Sequence, residues 1–306
     1  MVKIDTLDIL KSCTSEENIF ENEPMTNHTS FRTGGAAKYF VTPSSCEEVV
    51  KLVNSLKNNS KNYIVIGNGS NLLVSDHGFN GIVISIGKKM SDITVEGTTI
   101  TAMAGAFLSR IAYAAQKNSL SGFEFASGIP GFLGGAIVMN AGAYGGEMKD
   151  VVRETTYLSS DGTVKVCKGE EHGFAYRKSR FTKDDIILSA VIELVKGNPE
   201  EIKARSDELN MQRKEKQPLD YPSAGSTFKR PEGYFAAKLI DDAGLRGYAV
   251  GGAMVSEKHC GFVINYNNAT STDVFNLMKD IKRIVHEKFG VTLEPEVRFV
   301  GEFPEF

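Results

Sequence analysis

The stretch YPSAGSTFKRP (221–231) places Ser226 in a turn-rich loop, where its hydroxyl could serve as a nucleophile or as an acid. A nucleophilic serine usually occupies a G-x-S-x-G turn with a histidine base beside it. Here the second residue after Ser226 is Phe228, and the next histidine along the chain is His259. The motif therefore does not predict a hydrolase. A turn serine that caps a backbone amide is the alternative interpretation.

A glycine turn follows the apolar run NYIVI, with Gly67 and Gly69 in a G-x-G pattern. The dinucleotide fingerprint requires a third glycine at position 72 and a helix that begins there. Position 72 is Leu72, and the residues after it indicate a strand, so the Rossmann prediction fails. The amides of residues 68–71 could still form an anion-binding nest for a pyrophosphate. A structural turn between two strands is the alternative.

A second segment, GIPGFLGGAIVMNAGAYGGE (128–147), is also dense in glycine, and its composition predicts a long connection between elements. Gly128, Gly131 and Gly134 leave a stretch of backbone with little side-chain bulk, and Asn140 and Gly142 continue the pattern. Glycine lets backbone approach a ligand closely. Two such segments in one half of the chain suit a long cofactor that carries a diphosphate.

Two charged segments could act on an anionic substrate. FAYRKSRF (174–181) contains Arg177, whose guanidinium can bind a carboxylate through two parallel hydrogen bonds. The alternative is a solvated basic cluster. LEPEVRFVG (293–301) contains Glu296 and Arg298, which could instead form an ion pair on the last strand.

The elements around these segments mix strands and helices, which predicts an α+β fold. Local signals predict a helix from a Ser44/Glu47 capping box, a hairpin that turns at Asp161-Gly162, a helix over 199–216 capped by Asn198, and a last helix that ends at Gly290.

Composition limits the class of protein. A length of 306 residues suits about two domains, and a net charge of −3 with a pI near 6.0 argues against nucleic-acid binding. No apolar run approaches the roughly 18 to 20 residues that span a bilayer, and the N-terminal sequence shows no secretory signal. The four cysteines are far apart and show no C-x-x-C pairing, so we expect no zinc site or disulfide framework and a cytoplasmic location. His28, His77, His172 and His286 lack metal-ligand spacing, and we expect them at the surface.

Taken together, several segments resemble the UDP-N-acetylenolpyruvoylglucosamine reductase family over about residues 20–301. They are TSFRTGG (29–35), IGNGSNLLVSD (66–76), SGIPGFLGGAIVMNAGAYGGE (127–147), FAYRKSRF (174–181), AGSTFKRP (224–231), LIDDAGLRG (239–247), GGAMVSEKHCGFVIN (251–265) and LEPEVRFVG (293–301). Two departures stand out: there is no room for the tyrosine-bearing insertion of some relatives, which indicates the shorter subtype, and Cys260 stands where a small alanine is expected.

The resemblance implies an FAD-binding domain of the vanillyl-alcohol-oxidase type over 20–200, made of two α+β subdomains (about 20–105 and 106–200). A C-terminal α+β substrate-binding domain over 201–301 follows, and 1–19 form an extension. It implies FAD and NADPH as cofactors and a UDP-sugar enol ether as substrate. The implied FAD contacts are Gly67, Asn68, Gly69, Ser70, Asn71, Gly128, Gly131, Gly134, Asn140 and Gly142.

The resemblance also assigns catalytic roles. Hydride transfer to an enolpyruvyl group leaves negative charge beside a carboxylate, which needs positive charge, strong donors and then a proton. Arg177 is implied to stabilise this charge, Ser226 to give the proton, and Glu296 to donate a hydrogen bond as a neutral acid. The substrate contacts implied are Tyr176, Lys229, His259 and Arg298.

Overall fold

The computed structural model describes residues 5–306. The helices are α1 (Thr6–Cys13), α2 (Cys46–Asn58), α3 (Leu108–Lys117), α4 (Leu133–Val138), α5 (Pro199–Lys216), α6 (Ala236–Asp242) and α7 (Ser271–Phe289). The strands are β1 (Ile19–Pro24), β2 (Ala36–Val41), β3 (Tyr63–Ile66), β4 (Leu72–Val74), β5 (Phe79–Ser85), β6 (Ile93–Glu96), β7 (Thr99–Met103), β8 (Leu120–Ser121), β9 (Gly142–Ala143), β10 (Gly146–Glu147), β11 (Val152–Leu158), β12 (Val164–Lys168), β13 (Ile186–Glu193), β14 (Val195–Lys196), β15 (Ala249–Val250), β16 (Ala253–Val255), β17 (Val263–Asn265) and β18 (Arg298–Val300).

The strands form several small sheets. The larger ones have the orders β1-β2-β5-β3, β12-β11-β13-β7-β6 and β15-β16-β17, and the pairs β10-β9, β14-β8 and β18-β4 complete the set. Pairing is parallel between β3 and β5 and between β18 and β4, whereas the five-stranded sheet is antiparallel. Mixed pairing with helices packed on separate sheets confirms the α+β prediction.

The chain divides into two compact units. The first contains the segment that ends at Phe20, Tyr39–Asn68 and Gly81–Arg213, and the second contains Glu21–Lys38, Gly69–Asn80 and Lys214–Phe306. Each unit is therefore assembled from segments that are separated in the sequence.

Each unit has its own hydrophobic core. In the first, buried side chains from α2, α3 and the five-stranded sheet pack together, with Leu52, Ile111 and Leu188 among them. In the second, Leu277 and Ile281 of α7 pack against α6 and β15-β16-β17. Two separate cores fit a chain of about two domains.

Most local predictions are confirmed. The hairpin β11-β12 turns through Gly162, whose φ is +84°. Asn198 Oδ1 accepts hydrogen bonds from the Glu200 and Glu201 amides at the start of α5, at 2.8 and 3.4 Å, and α7 ends at Gly290 with a φ of +68°. Glycine is favoured at both turns because positive φ carries no steric penalty there.

Two local predictions are wrong. The N-cap of α2 is Ser45, whose hydroxyl accepts from the Glu48 amide at 3.2 Å, so the cap lies one residue beyond the predicted Ser44. The glycine-dense segment 128–147 was expected to be a connection, yet it contains α4 and the hairpin β9-β10. Glycines do not prevent a short helix when its packing surface is apolar, as Leu133 and Ile137 make it here. Among residues 5–306, no helix combines the length and apolar character that a membrane crossing needs.

Candidate functional site

The first glycine turn joins β3 to β4. Gly69 has a φ of +62°, and a β-carbon there would clash with the carbonyl oxygen of His28, so the turn requires glycine. The N–H groups of residues 68–71 donate to no acceptor within residues 5–306. The Ser30 amide donates to the Gly69 carbonyl at 3.2 Å, and the buried Ser30 hydroxyl has no hydrogen-bond partner in the same range. These unpaired donors fit the pyrophosphate that the sequence predicts at this turn.

Within the first unit, the two glycine segments lie against each other. The Asn68 side-chain amide donates to the Pro130 carbonyl at 2.7 Å, and a β-carbon at Gly67 would lie 3.5 Å from the Phe132 ring. The sequence predicted both segments as cofactor contacts, and this packing makes them parts of one surface.

Glycines of the second segment also serve packing. A β-carbon at Gly134 would lie 3.1 Å from that of Ala104, so this glycine lets α4 approach the five-stranded sheet closely. The Gly131 carbonyl accepts a hydrogen bond from the first residue of α3 at 3.1 Å. A β-carbon at Gly128 would lie 3.0 Å from Cδ of Arg213. Close packing therefore explains part of this glycine content without a ligand.

Arg177 lies at the tip of a tight turn in the first unit. Ala175 and Lys178 exchange two backbone hydrogen bonds of 2.9 and 3.1 Å around it. Arg177 has a φ of +53°, a left-handed conformation that costs a non-glycine residue about 1–2 kcal/mol. Its guanidinium donates to the Gly142 carbonyl at 3.4 Å and lies 5.3 Å from the Tyr176 ring centroid. Backbone strain of this kind is often retained at functional sites.

Asn140 anchors this turn. Its fully buried side-chain amide donates to the Ala175 carbonyl at 3.1 Å and to Glu147 Oε2 at 2.8 Å, and its oxygen accepts from the Lys149 amide at 2.9 Å. Both amide hydrogens are therefore used within the protein. In this arrangement the side chain predicted to bind FAD supports the segment that carries Arg177.

His172 supports the same segment. The sequence predicts a surface histidine, and this is wrong, because the residue is fully buried. Its ring nitrogens lie 2.8 Å from Thr155 Oγ1 and 2.8 Å from the Gly169 carbonyl, and its ring stacks on Phe174 with centroids 4.8 Å apart. Burial lowers the pKa of His172 below the ordinary histidine value, which favours the neutral ring.

The second unit brings Ser226 and Glu296 into neighbouring backbone segments. The Glu296 amide donates to the Thr227 carbonyl at 2.9 Å, and the Asn71 side chain donates to the Glu296 carbonyl at 3.0 Å. Ser226 is exposed, and its hydroxyl forms no hydrogen bond with residues 5–306. Gly225, with a φ of +78°, turns the chain immediately before it. The serine is thus positioned by backbone pairing while its hydroxyl stays available to a ligand.

Predicted substrate contacts in the second unit have partners of their own. Lys229 Nζ lies 3.1 Å from Glu294 Oε2 in an exposed ion pair. His259 Nδ1 accepts from the Gly261 amide at 3.1 Å, and burial lowers the pKa of His259. The Gly261 carbonyl accepts from the Thr227 amide at 2.9 Å, which brings the His259 loop beside the serine loop. Arg298 begins β18.

Cys260 is not an activated thiol. Burial, with a hydrogen bond to Asp241 Oδ1 at 3.4 Å, raises the pKa of Cys260 to about 11. The residue lies in a turn before β17. The thiol is therefore protonated near neutral pH and is not a thiolate nucleophile. Within residues 5–306, no cluster of three or more metal-binding side chains is present.

The chain matches two protein-family models and is similar to known proteins over nearly its whole length. Residues 217–300 match the model of the UDP-N-acetylenolpyruvoylglucosamine reductase C-terminal domain, and residues 37–168 match that of an FAD binding domain. The UDP-N-acetylenolpyruvoylglucosamine reductase of Caldanaerobacter subterraneus subsp. tengcongensis is 54% identical over 297 residues, which cover 97% of this chain and 98% of that protein. The chain belongs to the UDP-N-acetylenolpyruvoylglucosamine reductase family.

Two further members of the reductase family are similar to this chain over more than 90% of its length. The Clostridioides difficile protein is 49% identical over 302 residues, with 98% of each chain covered. The crystal structure of the reductase from Thermus caldophilus is 34% identical, with a TM-score of 0.79 over 92% of this chain and 98% of that one. The fold prediction and the FAD-binding domain are confirmed by these matches.

The sequence does not single out three residues that contact the two glycine segments or support the Arg177 turn: Ser30, His172 and Arg213. Ser30 carries no motif beyond its place in TSFRTGG, and Arg213 lies in a helix composed mostly of charged and polar residues. The supporting role of His172 was hidden because a single histidine among charged neighbours indicates neither burial nor exposure. Only the paired backbone of the folded chain shows what these side chains contact.

Proposed function

We propose that this chain reduces the enolpyruvyl ether of UDP-N-acetylglucosamine-enolpyruvate to UDP-N-acetylmuramate, with FAD as bound cofactor and NADPH as reductant. The reaction belongs to peptidoglycan synthesis, and the nucleotide substrates favour a cytoplasmic location. The C-terminal domain match over residues 217–300 supports assignment of the UDP-sugar to the second unit. Tyr176, Lys229, His259 and Arg298 are proposed substrate contacts.

The single observation that carries the chemistry is the hydrogen bond from the Glu296 amide to the Thr227 carbonyl, because it pairs the backbone segments that carry Ser226 and Glu296 within one unit. When bound, FAD supplies a hydride to the terminal carbon of the enolpyruvyl group, and NADPH replaces it. The electrons then rest on the carbon beside the substrate carboxylate. The protein must stabilise that charge and protonate that carbon.

Arg177 is proposed to bind the substrate carboxylate. A guanidinium matches the two carboxylate oxygens, and its attraction grows as charge spreads into the carboxylate. The strained turn that presents Arg177 supports this role, since the fold retains an unfavourable φ of +53° at this residue.

Ser226 is proposed to protonate the carbon beside the carboxylate. A hydroxyl is a weak acid in water, but a carbanion next to a carboxylate is a strong base, so a well-placed weak acid suffices. The hydroxyl has no competing hydrogen bond within residues 5–306. The proton that Ser226 gives up is replaced from solvent, which its exposure permits.

Glu296 is proposed to act as a neutral carboxylic acid. An ionised carboxylate would repel the developing negative charge, whereas a protonated one donates a hydrogen bond to it. The approach of the substrate's own negative charge favours this protonated form.

Turnover of purified, FAD-loaded protein tests the proposed function. NADPH consumption should begin only when UDP-N-acetylglucosamine-enolpyruvate is added, with a product two hydrogens heavier and no peroxide formed. NADPH consumption with peroxide but without the enol ether would indicate an oxidase instead. Binding of both nucleotides without turnover would indicate a regulator. Arg177→Lys should lower turnover, while the matched variant Lys178→Met on the same turn should keep it.

A further inference from the structure

Asn71 joins the first glycine turn to the segment that carries Glu296. It lies in the turn that leads into β4, and β4 pairs in parallel with β18. The Asn71 carbonyl accepts from the Arg298 amide at 2.9 Å, and at the other end of the pair the Val300 carbonyl accepts from the Ser75 amide at 2.8 Å. These two bonds follow the regular spacing of a parallel ladder.

The ladder changes at Glu296. Continued by two residues toward the glycine turn, its spacing would pair the Asn71 backbone N–H with the Glu296 carbonyl. The side-chain amide of Asn71 donates to that carbonyl instead, at 3.0 Å, and the Asn71 N–H donates to no acceptor within residues 5–306. The asparagine side chain thus replaces its own backbone donor in the ladder, and the N–H stays in the row of amides of residues 68–71.

Both backbone groups of Glu296 are bound within the second unit. Its N–H donates to the Thr227 carbonyl at 2.9 Å, and its carbonyl accepts from the Asn71 side chain. The flanking residues Leu293 and Val297 are buried in the hydrophobic core of the unit. The backbone of Glu296 is therefore held on one side by the serine loop and on the other by the turn that is expected to bind the cofactor pyrophosphate.

We propose that Asn71 is a positioning residue that couples the pyrophosphate turn to Glu296, an inference that rests on the proposed function. Its side chain holds the Glu296 carbonyl, and its N–H is thereby left to the cofactor. Both residues are half-buried, and a half-buried carbonyl without a donor is unfavourable. Without a donor in the side chain at position 71, the Glu296 carbonyl would therefore compete with the cofactor for that N–H.

Asn71→Leu tests both parts of the proposal, because leucine is similar in size but has no donor and no charge. At saturating FAD, reduction by NADPH should keep its normal rate, while reoxidation by the enol ether should slow about fivefold, as expected when one hydrogen bond no longer holds Glu296. The FAD dissociation constant should rise about fivefold or more, because phosphate and carbonyl then share one N–H. Asn71→Gln keeps a donor and should restore part of both. Asn71→Ala gives the same test if leucine disturbs the turn.

A matched control lies at the exposed end of α2. The Asn59 side chain also donates to a backbone carbonyl, that of Ser55, at 2.8 Å. Asn59→Leu should change neither the FAD dissociation constant nor the rate of either half-reaction.

A double variant and hydrogen exchange show whether Asn71 acts through Glu296. In a Glu296→Ala background, Asn71→Leu should add no further slowing of reoxidation. Hydrogen exchange over residues 293–301 should be faster in FAD-loaded Asn71→Leu than in the FAD-loaded wild type, and this readout does not depend on turnover. Unchanged reoxidation, unchanged FAD affinity, unchanged exchange or additive slowing in the double variant would overturn the proposal. Failure of the wild type to reduce the enol ether would instead contradict the proposed function, and the affinity and exchange comparisons would still test Asn71.

Discussion

Asn140→Ala is expected to loosen the turn that presents Arg177. The asparagine side chain makes hydrogen bonds to Ala175, Glu147 and Lys149, all between 2.8 and 3.1 Å. Alanine leaves these three groups without their partner, and it also removes the contact that opposes the backbone strain at Arg177.

The size of the effect follows from the partners' exposure. A hydrogen bond contributes about 1 kcal/mol net when water can replace the missing group. Ala175 and Lys149 are exposed and Glu147 is half-buried, so water can partly replace the missing side chain at all three. Loss of the three hydrogen bonds together should therefore lower the free energy of unfolding by about 2–3 kcal/mol. The Ala175 bond alone, at about 1 kcal/mol, corresponds to a roughly fivefold smaller population of the native turn.

Urea unfolding and steady-state kinetics at saturating FAD measure the two effects separately. We expect a lower unfolding midpoint and, at a temperature where the variant is folded, a several-fold lower kcat/KM for the enol ether. Asn118→Ala is a matched control, since it removes one side-chain bond at the exposed end of α3. Normal turnover in a folded Asn140→Ala protein, with only FAD affinity reduced, would refute the positioning role and support a direct cofactor contact.

Three further outcomes are expected. Burial depresses the pKa of His172, so the neutral ring contributes stability above pH 6.5 that is lost as the pH falls, by at most about 1.4 kcal/mol per pH unit. His172→Phe should flatten this part of the plot of unfolding free energy against pH. An unchanged plot would argue against burial of a neutral ring. Cys260, with a pKa of about 11, should be alkylated by iodoacetamide at pH 8 roughly a hundredfold more slowly than a free cysteine; fast alkylation located by mass spectrometry would contradict its burial. Glu296→Gln keeps a hydrogen-bond donor and should retain more turnover than Glu296→Ala, whereas equal losses in the two variants would remove the donor role.

Elements that depend on local chemistry were predictable from the sequence. Asn198 and Gly290 mark the ends of α5 and α7 because caps satisfy the terminal backbone groups of a helix through residues close in sequence. The free amides of residues 68–71 were also predicted, since a turn with glycine at positive φ exposes its own N–H groups.

Features that depend on distant contacts were not predictable. The burial of His172 depends on its hydrogen bond with Thr155 and its packing beside Phe181, and the residues next to the histidine in sequence indicate neither contact. The helix α4 forms inside a glycine-rich segment because its apolar residues pack on β13. The same limit applies to Arg213, whose approach to Gly128 joins parts of the chain that carry no common pattern.

The central claim is that Ser226 delivers the proton in the second half of the reaction. Rapid anaerobic mixing of FAD-loaded Ser226→Ala protein, first with NADPH and then with the enol ether, follows each half through flavin absorbance. The account predicts that reduction by NADPH keeps its normal rate while reoxidation by the substrate slows by about 10² to 10⁴, the usual contribution of general acid catalysis. Ser223→Ala, in the same loop, should leave both rates unchanged. Equal slowing of both halves in Ser226→Ala, or reoxidation at the normal rate, would contradict it.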